Sequence, residues 1–406
     1  MTDPSTTHLP EFPMARAAGC PFSPPPELAA LQAVKPLSRV RIWDDSTHWL
    51  ITGHAEQRAL LSDPKISADE KQPGFPHQSP GMAETLDQRP LTIFNSDAPE
   101  HSRFRRLMTF PFTLKRVEAL RPNIQTITDD LIDQMLAGPN PADLVTALAL
   151  PLPSLMISRL LGVPYEDHAF FQQHAGVAVD RHATPEQSAE SSTAIHSYLA
   201  ELITDRLDSP GDGWVADLAE RVKAGEVTVP EAALMGVVLL IAGHETSANM
   251  IALGTLALLQ NPDQLTVFGA TDDPKVIANG VEEMLRYLSI AQHGLRRIAL
   301  ADIEIGGETI RAGDGVIVPL PAANFDPEVF AEPDRLDLHR QARRHHAFGF
   351  GIHQCVGQQL ARLELQVVYG TLYRRIPTLE MATTIDRIDF KEDHFAYGVT
   401  ELPVTW

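Results

Sequence analysis

The sequence has few cysteines and fewer basic than acidic residues. Only two of its 406 residues are cysteine, Cys20 and Cys355, so at most one disulfide could form and a disulfide scaffold is excluded. Its 33 lysines and arginines are outnumbered by 53 aspartates and glutamates, which gives a formal net charge of −20. Because a field of that sign repels phosphate backbones, the composition argues against nucleic acid as a partner.

No segment has the pattern of a membrane anchor or a secretory signal. The longest apolar stretch, residues 232–243, is shorter than the roughly 20 residues of a transmembrane helix, and His244 and Glu245 follow it. The N-terminal region lacks the basic start and apolar run of a signal peptide. We therefore expect a cytoplasmic protein that does not bind membranes, and we expect it to be a monomer.

Helical periodicity dominates the middle of the chain. Apolar residues recur at three- and four-residue steps through much of residues 100–222, which predicts a mostly helical body. Residues 231–259 contain no proline and predict one continuous helix that crosses the core. Residues 274–287 predict another helix.

Strand signals are short and scattered. Residues 40–43 and 49–52 predict two strands, and Gly306-Gly307 between apolar residues predicts a hairpin. Residues 1–36 are expected to be irregular, because three consecutive prolines at 24–26 oppose a helix. With no internal repeat or linker, the expected fold class is mainly α with small β-sheets, in a single domain over residues 1–406.

The most informative segment is the cysteine loop, FGFGIHQCVG at residues 348–357. Its glycines permit backbone conformations and close approaches that side chains block, and apolar spacing after it predicts a helix. Cys355 therefore stands near a helix N-terminus, where the dipole favours a thiolate as metal ligand or nucleophile. A lone cysteine is more often a buried structural residue, but this setting favours the reactive one.

The pattern Phe-Gly-x-Gly-x-His-x-Cys-x-Gly followed by Leu-Ala-Arg resembles the heme-binding loop of the cytochrome P-450 monooxygenases. The resemblance implies the cytochrome P-450 fold, with a long central helix over heme b (iron protoporphyrin IX) and minor antiparallel sheets. It implies that Cys355 is the axial thiolate ligand of the heme iron. It also implies that His353 binds a heme propionate, that Phe348 shields the sulfur, and that Gly349 is a further cofactor-binding residue.

Residues 242–247, AGHETS, place an acid and an alcohol midway along the most apolar helix. On local grounds Thr246 could simply donate to the carbonyl four residues earlier while Glu245 faces solvent. The segment resembles the oxygen-activating helix of the same family. That resemblance implies that Ala242 and Gly243 let heme and dioxygen approach the backbone, and that Glu245 and Thr246 deliver protons through water.

Two further motifs follow the family order. Glu283 and Arg286 form the Glu-x-x-Arg pattern, which alone indicates only a modest surface pair. The resemblance implies a buried network in which Arg335 is the third member and which holds the cysteine loop. Asp97 is the expected cap of a helix carrying His101 and Arg105, which are four residues apart and could reach one anion.

A solvated charged face would also explain His101 and Arg105. The resemblance implies instead that both contact heme propionates, with Arg297 as a further contact. The motifs run from about residue 97 to residue 362, most of the chain. The sequence looks most like the soluble actinobacterial branch that includes vitamin D, macrolide, statin-precursor and xenobiotic hydroxylases. One departure is Phe325, where this branch commonly has arginine, and it bears on local packing.

Electrons must come from another protein, because no Gly-x-Gly-x-x-Gly lies between a strand and a helix. Basic residues cluster without an acid over residues 101–116, against the overall charge. A solvated helix face could account for them. We predict instead a docking patch for an acidic ferredoxin served by an NAD(P)H-dependent reductase. The predicted patch comprises Arg103, Arg106, Lys115, Arg116 and Arg362.

The expected substrate is a hydrophobic small molecule, because the candidate walls are chiefly apolar with scattered polar groups. Carried over from the family topology, these walls include the loop at 71–93, the segment 168–182, and the residues Ile93, Phe94, Leu239, Ile290 and Val399. The predicted reaction inserts one oxygen atom of O2 into the substrate. A heme-thiolate sensor without turnover and a peroxide-driven peroxygenase are the alternatives, and the Glu245-Thr246 pair disfavours both.

Overall fold

The computed structural model describes residues 9–17, 19–164, 167–179, 184–209 and 211–406. The chain forms two compact units, and each is assembled from three separate segments. Unit 1 comprises Met1–Arg103, Leu285–Leu336 and Gln341–Cys355, and unit 2 comprises Phe104–Met284, Asp337–Arg340 and Val356–Trp406. The expectation of one domain over 1–406 stays a prediction.

Helices account for most of the described chain. In order they are α1 (Pro26–Val34), α2 (His54–Leu61), α3 (Pro80–Glu84), α4 (Glu100–Thr109), α5 (Leu114–Ala119), α6 (Arg121–Ala137), α7 (Pro151–Leu161), α8 (His168–Val179), α9 (Pro185–Asp208), α10 (Trp214–Lys223), α11 (Val229–Leu259), α12 (Pro262–Gly269), α13 (Pro274–Leu288), α14 (Leu320–Asn324) and α15 (Gln358–Arg375). The mainly helical fold class is confirmed.

The strands are short. They are β1 (Leu37–Arg41), β2 (Thr47–Ile51), β3 (Ile66–Ser67), β4 (Ala142–Asp143), β5 (Leu295–Ala299), β6 (Ile303–Ile305), β7 (Glu308–Ile310), β8 (Gly315–Val318), β9 (Glu380–Met381) and β10 (Pro403–Thr405). In unit 1 a five-stranded sheet has the order β1-β2-β8-β5-β3, and β6 pairs with β7. In unit 2 the order is β4-β10-β9.

The five-stranded sheet separates two apolar clusters in unit 1. Neighbouring residues of a strand point to opposite faces, so Arg297 and Arg296 lie on different sides of β5. The face of Arg297 carries Leu295 and packs with Trp49, Val316 and Val318. This register determines which of the two arginines can reach the cysteine loop, because Phe350 packs against the same cluster.

The prediction that residues 1–36 are irregular is wrong for residues 26–34. Helix α1 begins at Pro26 and buries Leu28, which is 1% exposed. Proline is tolerated in the first turn, because the N–H that it lacks would have no partner within the helix. The hairpin prediction is confirmed, since Gly306 and Gly307 connect β6 to β7 with φ of 56° and 78°, as a tight two-residue turn requires.

Helix α11 forms the core of unit 2, as the absence of proline predicts. It begins at Val229 because Thr228 and Glu231 form a capping box, in which each side chain accepts from the other's amide. By length and composition the helix could cross a membrane, but 61% of its most apolar window is buried inside the protein. It therefore has the surroundings of a core helix.

Candidate active site

The backbone of the cysteine loop depends on two glycines. Gly349 and Gly351 have φ of 69° and 74°, in the left-handed region that side chains disfavour. A Cβ at Gly351 would also overlap the carbonyl oxygen of Leu61. The Cys355 amide donates to the carbonyl oxygen of Phe348 at 2.9 Å, which closes the loop. Cys355 is not in a disulfide and is exposed, three residues before α15 begins.

Two predicted propionate contacts lie side by side in unit 1. The His101 and His353 rings are 4.1 Å apart, and His101 is buried. Helix α4 carries His101, and the His101 amide donates to the backbone oxygen of Asp97 at 2.8 Å. The carboxylate of Asp97, the expected cap, accepts from the Ser67 hydroxyl and the Ala68 amide, which ties the segment before α4 to β3.

Arg297 is a buried cation whose environment suits an anionic ligand. Burial lowers the pKa of Arg297 to about 10, and the charge of Asp97 opposes that shift. Its Nη1 donates to the carbonyl oxygen of Arg296 at 2.6 Å. Because a buried charge needs a compensating one, a carboxylate ligand would offset this cost. With the exposed thiol and the histidine pair, the donor set fits heme, which has an iron and two propionates. Arg105 belongs to unit 2 and is half-buried.

The acid-alcohol pair lies where α11 becomes partly accessible. Residues 241–243, 245 and 246 are half-buried, whereas residues 247–258 are buried. The Thr246 hydroxyl donates to the Ala242 carbonyl oxygen at 2.7 Å, which is the local interaction that sequence reasoning allowed. Glu245 contacts two other side chains instead of facing only solvent. Its Oε1 lies 3.2 Å from Nδ1 of His394 and 3.7 Å from Nζ of Lys391.

Arg286 anchors the C-terminal end of α13 in unit 1. Its guanidinium is fully buried and donates to three carbonyl oxygens, those of Asn324 and Pro333 at 2.9 Å and that of Arg335 at 3.3 Å. Phe325, the departure from the branch pattern, packs against this guanidinium at 5.2 Å. Its buried ring thus supplies an aromatic contact to Arg286.

The expectation that the Arg335 side chain completes the Glu-x-x-Arg network is wrong. Glu283 is fully buried, and its Oε1 accepts from Arg340 Nε and from the Asp337 amide, both at 3.1 Å. The Arg335 side chain is 64% exposed and lies 3.8 Å from Glu332. Arg340 has the role predicted for Arg335. It shares a turn with Asp337, whose amide binds the same carboxylate oxygen of Glu283.

Comparison with known proteins fits this geometry. A family model described as Cytochrome P450 matches residues 275–396. A cytochrome P450 of Mycobacterium marinum, CYP105Q4, is 60% identical over 98% of this chain and 96% of its own length. The chain belongs to the cytochrome P450 family. Cytochromes P450 bind heme b through a cysteine thiolate, so this protein is a heme-dependent oxidoreductase of the monooxygenase class.

Other relatives of this cytochrome P450 cover nearly the whole chain. The vitamin D3 dihydroxylase of Streptomyces griseolus is 43% identical, covering 100% of this chain and 99% of the relative. The 20-oxo-5-O-mycaminosyltylactone 23-monooxygenase of Streptomyces fradiae is 42% identical, with 97% and 92% covered. The crystal structure of GfsF superposes with a TM-score of 0.94 at 57% identity, covering 98% of this chain and 100% of that one. The fold prediction is confirmed.

The predicted docking patch is only partly available on the P450 surface. Arg106 and Lys115 are exposed, and Arg103 is half-buried. Arg116 lies over the Phe110 ring at 3.7 Å, with Nη1 3.2 Å from Asp217. Arg362, the fifth predicted member, is 20% exposed and ion-paired, and its place in the patch stays a prediction.

The Nε and Nη2 atoms of Arg362 donate to the two carboxylate oxygens of Glu282 at 2.6 and 3.2 Å. Both residues belong to unit 2, and neither side chain is more than 20% exposed. This bidentate pair therefore connects α15 to α13.

The predicted substrate-contact residues differ in exposure. Leu239 and Val399 are buried in unit 2, and Ile93 is buried in unit 1. Phe94 is 60% exposed and Ile290 is half-buried. Part of the predicted wall at 168–182, namely residues 180–182, lies outside the described residues. The assignment of these side chains to a pocket stays a prediction.

Sequence reasoning missed three polar groups beside α11. Lys391 and His394 contact Glu245, and Glu364 of α15 binds Ser247. Burial raises the pKa of Glu364 to about 7, and the hydrogen bond from Ser247 opposes that shift. A charged residue among apolar neighbours, as in the segment LARLELQVV at 360–368, was the available signal for Glu364. Lys391 and His394 gave no local signal.

Proposed function

We propose that this cytochrome P450 hydroxylates or epoxidises a medium-to-large hydrophobic molecule, using O2 and electrons from a ferredoxin. The proposed substrate is a polyketide, a statin precursor, a steroid-like compound or a xenobiotic. The names of the vitamin D3 dihydroxylase and the tylactone monooxygenase support this substrate class. The observation that carries the proposal is the cysteine loop, with its two left-handed glycines and its exposed thiol.

Cys355 is the proposed thiolate ligand of the heme. His101, His353, Arg105 and Arg297 would hold the propionates, and Arg297 suits this role best because its buried charge needs an anion. Phe348 and Gly349 would lie beside the sulfur, and Ala242 and Gly243 would allow close approach. When bound through a thiolate, heme supplies the reductive activation of dioxygen, with one oxygen atom going to the substrate and the other to water.

Glu245 and Thr246 are the proposed proton-delivery pair. The Thr246 hydroxyl gives its only proton to the Ala242 carbonyl oxygen, so its lone pairs remain as acceptors. It can therefore hold a water molecule in place but does not itself need to supply a proton. Glu245 can take up and release protons, and a carboxylate next to a positioned water is the arrangement that general acid catalysis requires.

The proposed electron donor is an acidic ferredoxin with an NAD(P)H-dependent reductase. Arg106, Lys115 and Arg116 form a basic surface on a chain of net charge −20. Phe110 and Leu114 are exposed in the same segment, at 41% and 64%. An apolar centre with basic neighbours suits transient docking of an acidic protein. A cytoplasmic location follows from this use of soluble partners.

Replacement of Cys355 tests the proposal. In Cys355→Ser the strongly red-shifted absorbance of the reduced, carbonyl-bound pigment should disappear, because oxygen replaces the sulfur ligand. Cys20→Ser is the matched control, since Cys20 is the other exposed cysteine and is likewise not in a disulfide, and this variant should keep the band. A band that survives in Cys355→Ser would refute the ligand assignment.

Substrate class is tested by titrating the ferric enzyme with vitamin D3 and with 20-oxo-5-O-mycaminosyltylactone. A bound lipophilic substrate should shift the iron from low to high spin and should be oxidised with a surrogate ferredoxin system. Product that needs peroxide instead of O2 would favour a peroxygenase, and binding without product would favour a sensor.

A further inference from the structure

Strand β5 carries two adjacent buried arginines, Arg296 and Arg297, on opposite faces of the five-stranded sheet of unit 1. Arg297 is the proposed propionate contact. Arg296 pairs in the sheet register with Ile317, which belongs to a second apolar cluster that also contains Leu50 and Phe12. Arg296 is 7% exposed, so its guanidinium is almost wholly removed from water without being sealed from it.

The guanidinium of Arg296 lacks the compensation that the other buried arginines of unit 1 have. Its Nε and Nη1 are buried without a hydrogen-bond partner in the described part of the chain. Arg286, by comparison, donates to three carbonyl oxygens. Arg297 donates to a carbonyl oxygen and lies near the charge of Asp97. Burial lowers the pKa of Arg296 to about 10, so this side chain stays charged at neutral pH.

The side chains around Arg296 do not supply a negative charge. Its guanidinium carbon lies 5.1 Å from the centroid of the Phe12 ring. An aromatic ring has no net charge, so it offsets only part of the cost of burying a cation. Burial also lowers the pKa of His48, Asp44 opposes that shift, and the charge of Arg296 adds to it. His48 is therefore an uncharged neighbour, and its Nδ1 is buried without a partner among the described residues.

The carboxylates that act on His48 are engaged by other groups. Asp314 accepts from Nη2 of Arg39 at 3.0 Å, and Asp44 accepts from the Ser46 hydroxyl at 2.5 Å. Burial is the whole cause of the pKa shift of Arg296, so neither carboxylate compensates its charge. The described residues thus leave one buried cation on this face of the sheet without a counter-ion.

We propose that Arg296 binds a compact monovalent anion, for which chloride is the probe. A buried charge with unfilled N–H donors is stabilised by a counter-ion that accepts from them. A monatomic anion needs no further donors and suits a side chain that is 7% exposed. The net charge of −20 disfavours a multiply charged anion such as phosphate. Because Arg296 and Arg297 lie on opposite faces of β5, this anion would be separate from the heme propionates.

An anion that binds only the folded protein stabilises it in proportion to its concentration over its dissociation constant. At chloride concentrations roughly ten times that constant, the folding equilibrium constant should rise by roughly tenfold. Urea unfolding of the holoenzyme measures this rise when chloride replaces gluconate, a bulky anion, at constant ionic strength. The urea midpoint should increase and then saturate, and a midpoint that does not change would overturn the proposal.

Variants assign the effect to one side chain. Arg296→Met removes the cation and should abolish the chloride dependence, whatever its own stability. Arg311→Met is the matched control, because Arg311 lies in the same unit with its side chain 68% exposed, and this variant should keep the full dependence. Equal dependence in the wild type and in Arg296→Met would overturn the proposal, because chloride would then act at other sites.

Bromide locates the anion directly and needs no variant. In crystals of the wild-type holoenzyme grown with bromide, a peak of anomalous scattering should lie within hydrogen-bond distance of Nε or Nη1 of Arg296. A water molecule there instead, with no anomalous peak, would overturn the proposal. A peak without any chloride dependence in solution would mean binding at crystal concentration only, which would overturn it as well.

Discussion

Acid should destabilise this P450 through His346, an imidazole that the fold keeps neutral. His346 is 1% exposed and stacks on His54 with the rings 4.1 Å apart. Gln57 fixes its tautomer, because the Gln57 amide nitrogen donates to the carbonyl oxygens of Ile51 and Pro319 at 2.9 and 2.8 Å. Gln57 Oε1 must then accept from His346 Nδ1, at 3.1 Å.

Protonation would put a charge on a buried ring nitrogen. Nε2 of His346 is buried without a hydrogen-bond partner among the described residues. Burial first, and then the charges of His54, Arg58 and His345, lower the pKa of His346 from 6.5 to about 3. The unfolded chain therefore binds the proton more readily than the folded one. The stability that this group contributes is complete above pH 6.5 and is lost as the pH falls from there towards 3.

The magnitude follows from these two pKa values. Between about pH 7.5 and about pH 5.5, one such histidine lowers the free energy of unfolding by about 1.4 kcal/mol. Urea unfolding of holoenzyme at both pH values measures this loss. His346→Gln keeps a donor for Gln57 but cannot titrate. Over the same pH change, this variant should therefore lose about 1.4 kcal/mol less free energy of unfolding than the wild type.

His339→Gln is the matched control, since His339 is exposed. This variant should lose as much free energy of unfolding between the two pH values as the wild type. Equal losses in the wild type and in His346→Gln would refute the argument that His346 is neutral in the folded protein.

Three further outcomes are expected. Gly351→Ala should abolish stable heme incorporation, measured as heme absorbance per protein, because a Cβ would overlap a backbone oxygen at a left-handed φ; full incorporation would contradict the role of this glycine. Arg340→Met should cost about 3 kcal/mol in urea unfolding, since it removes a cation that pairs with the buried carboxylate of Glu283, whereas Arg335→Met should change stability by less than about 0.5 kcal/mol; equal costs would restore Arg335 to the network. Arg106→Glu should slow iron reduction by ferredoxin in a salt-dependent way, measured by stopped flow, and unchanged kinetics would remove Arg106 from the docking patch.

Local motifs predicted well wherever one short segment supplies the whole signal. The cysteine loop is such a segment, because its glycine conformations and the helix that follows are properties of neighbouring residues. The Gly306-Gly307 hairpin and the continuous helix over the proline-free residues 231–259 were predicted for the same reason. Residues 26–34 were not, because a proline that opposes a helix interior is compatible with its first turn.

The family, the chemistry of the thiolate site and the mainly helical fold were readable from the linear chain, since these depend on residue type and spacing. Which charges meet became visible only in the folded protein. Glu283 pairs with Arg340 and not Arg335, and Arg362 is engaged by Glu282. His394 reaches Glu245 across 149 positions of sequence. Such pairings depend on which side chains the packed helices and loops bring within hydrogen-bond distance, and neither spacing nor composition records that.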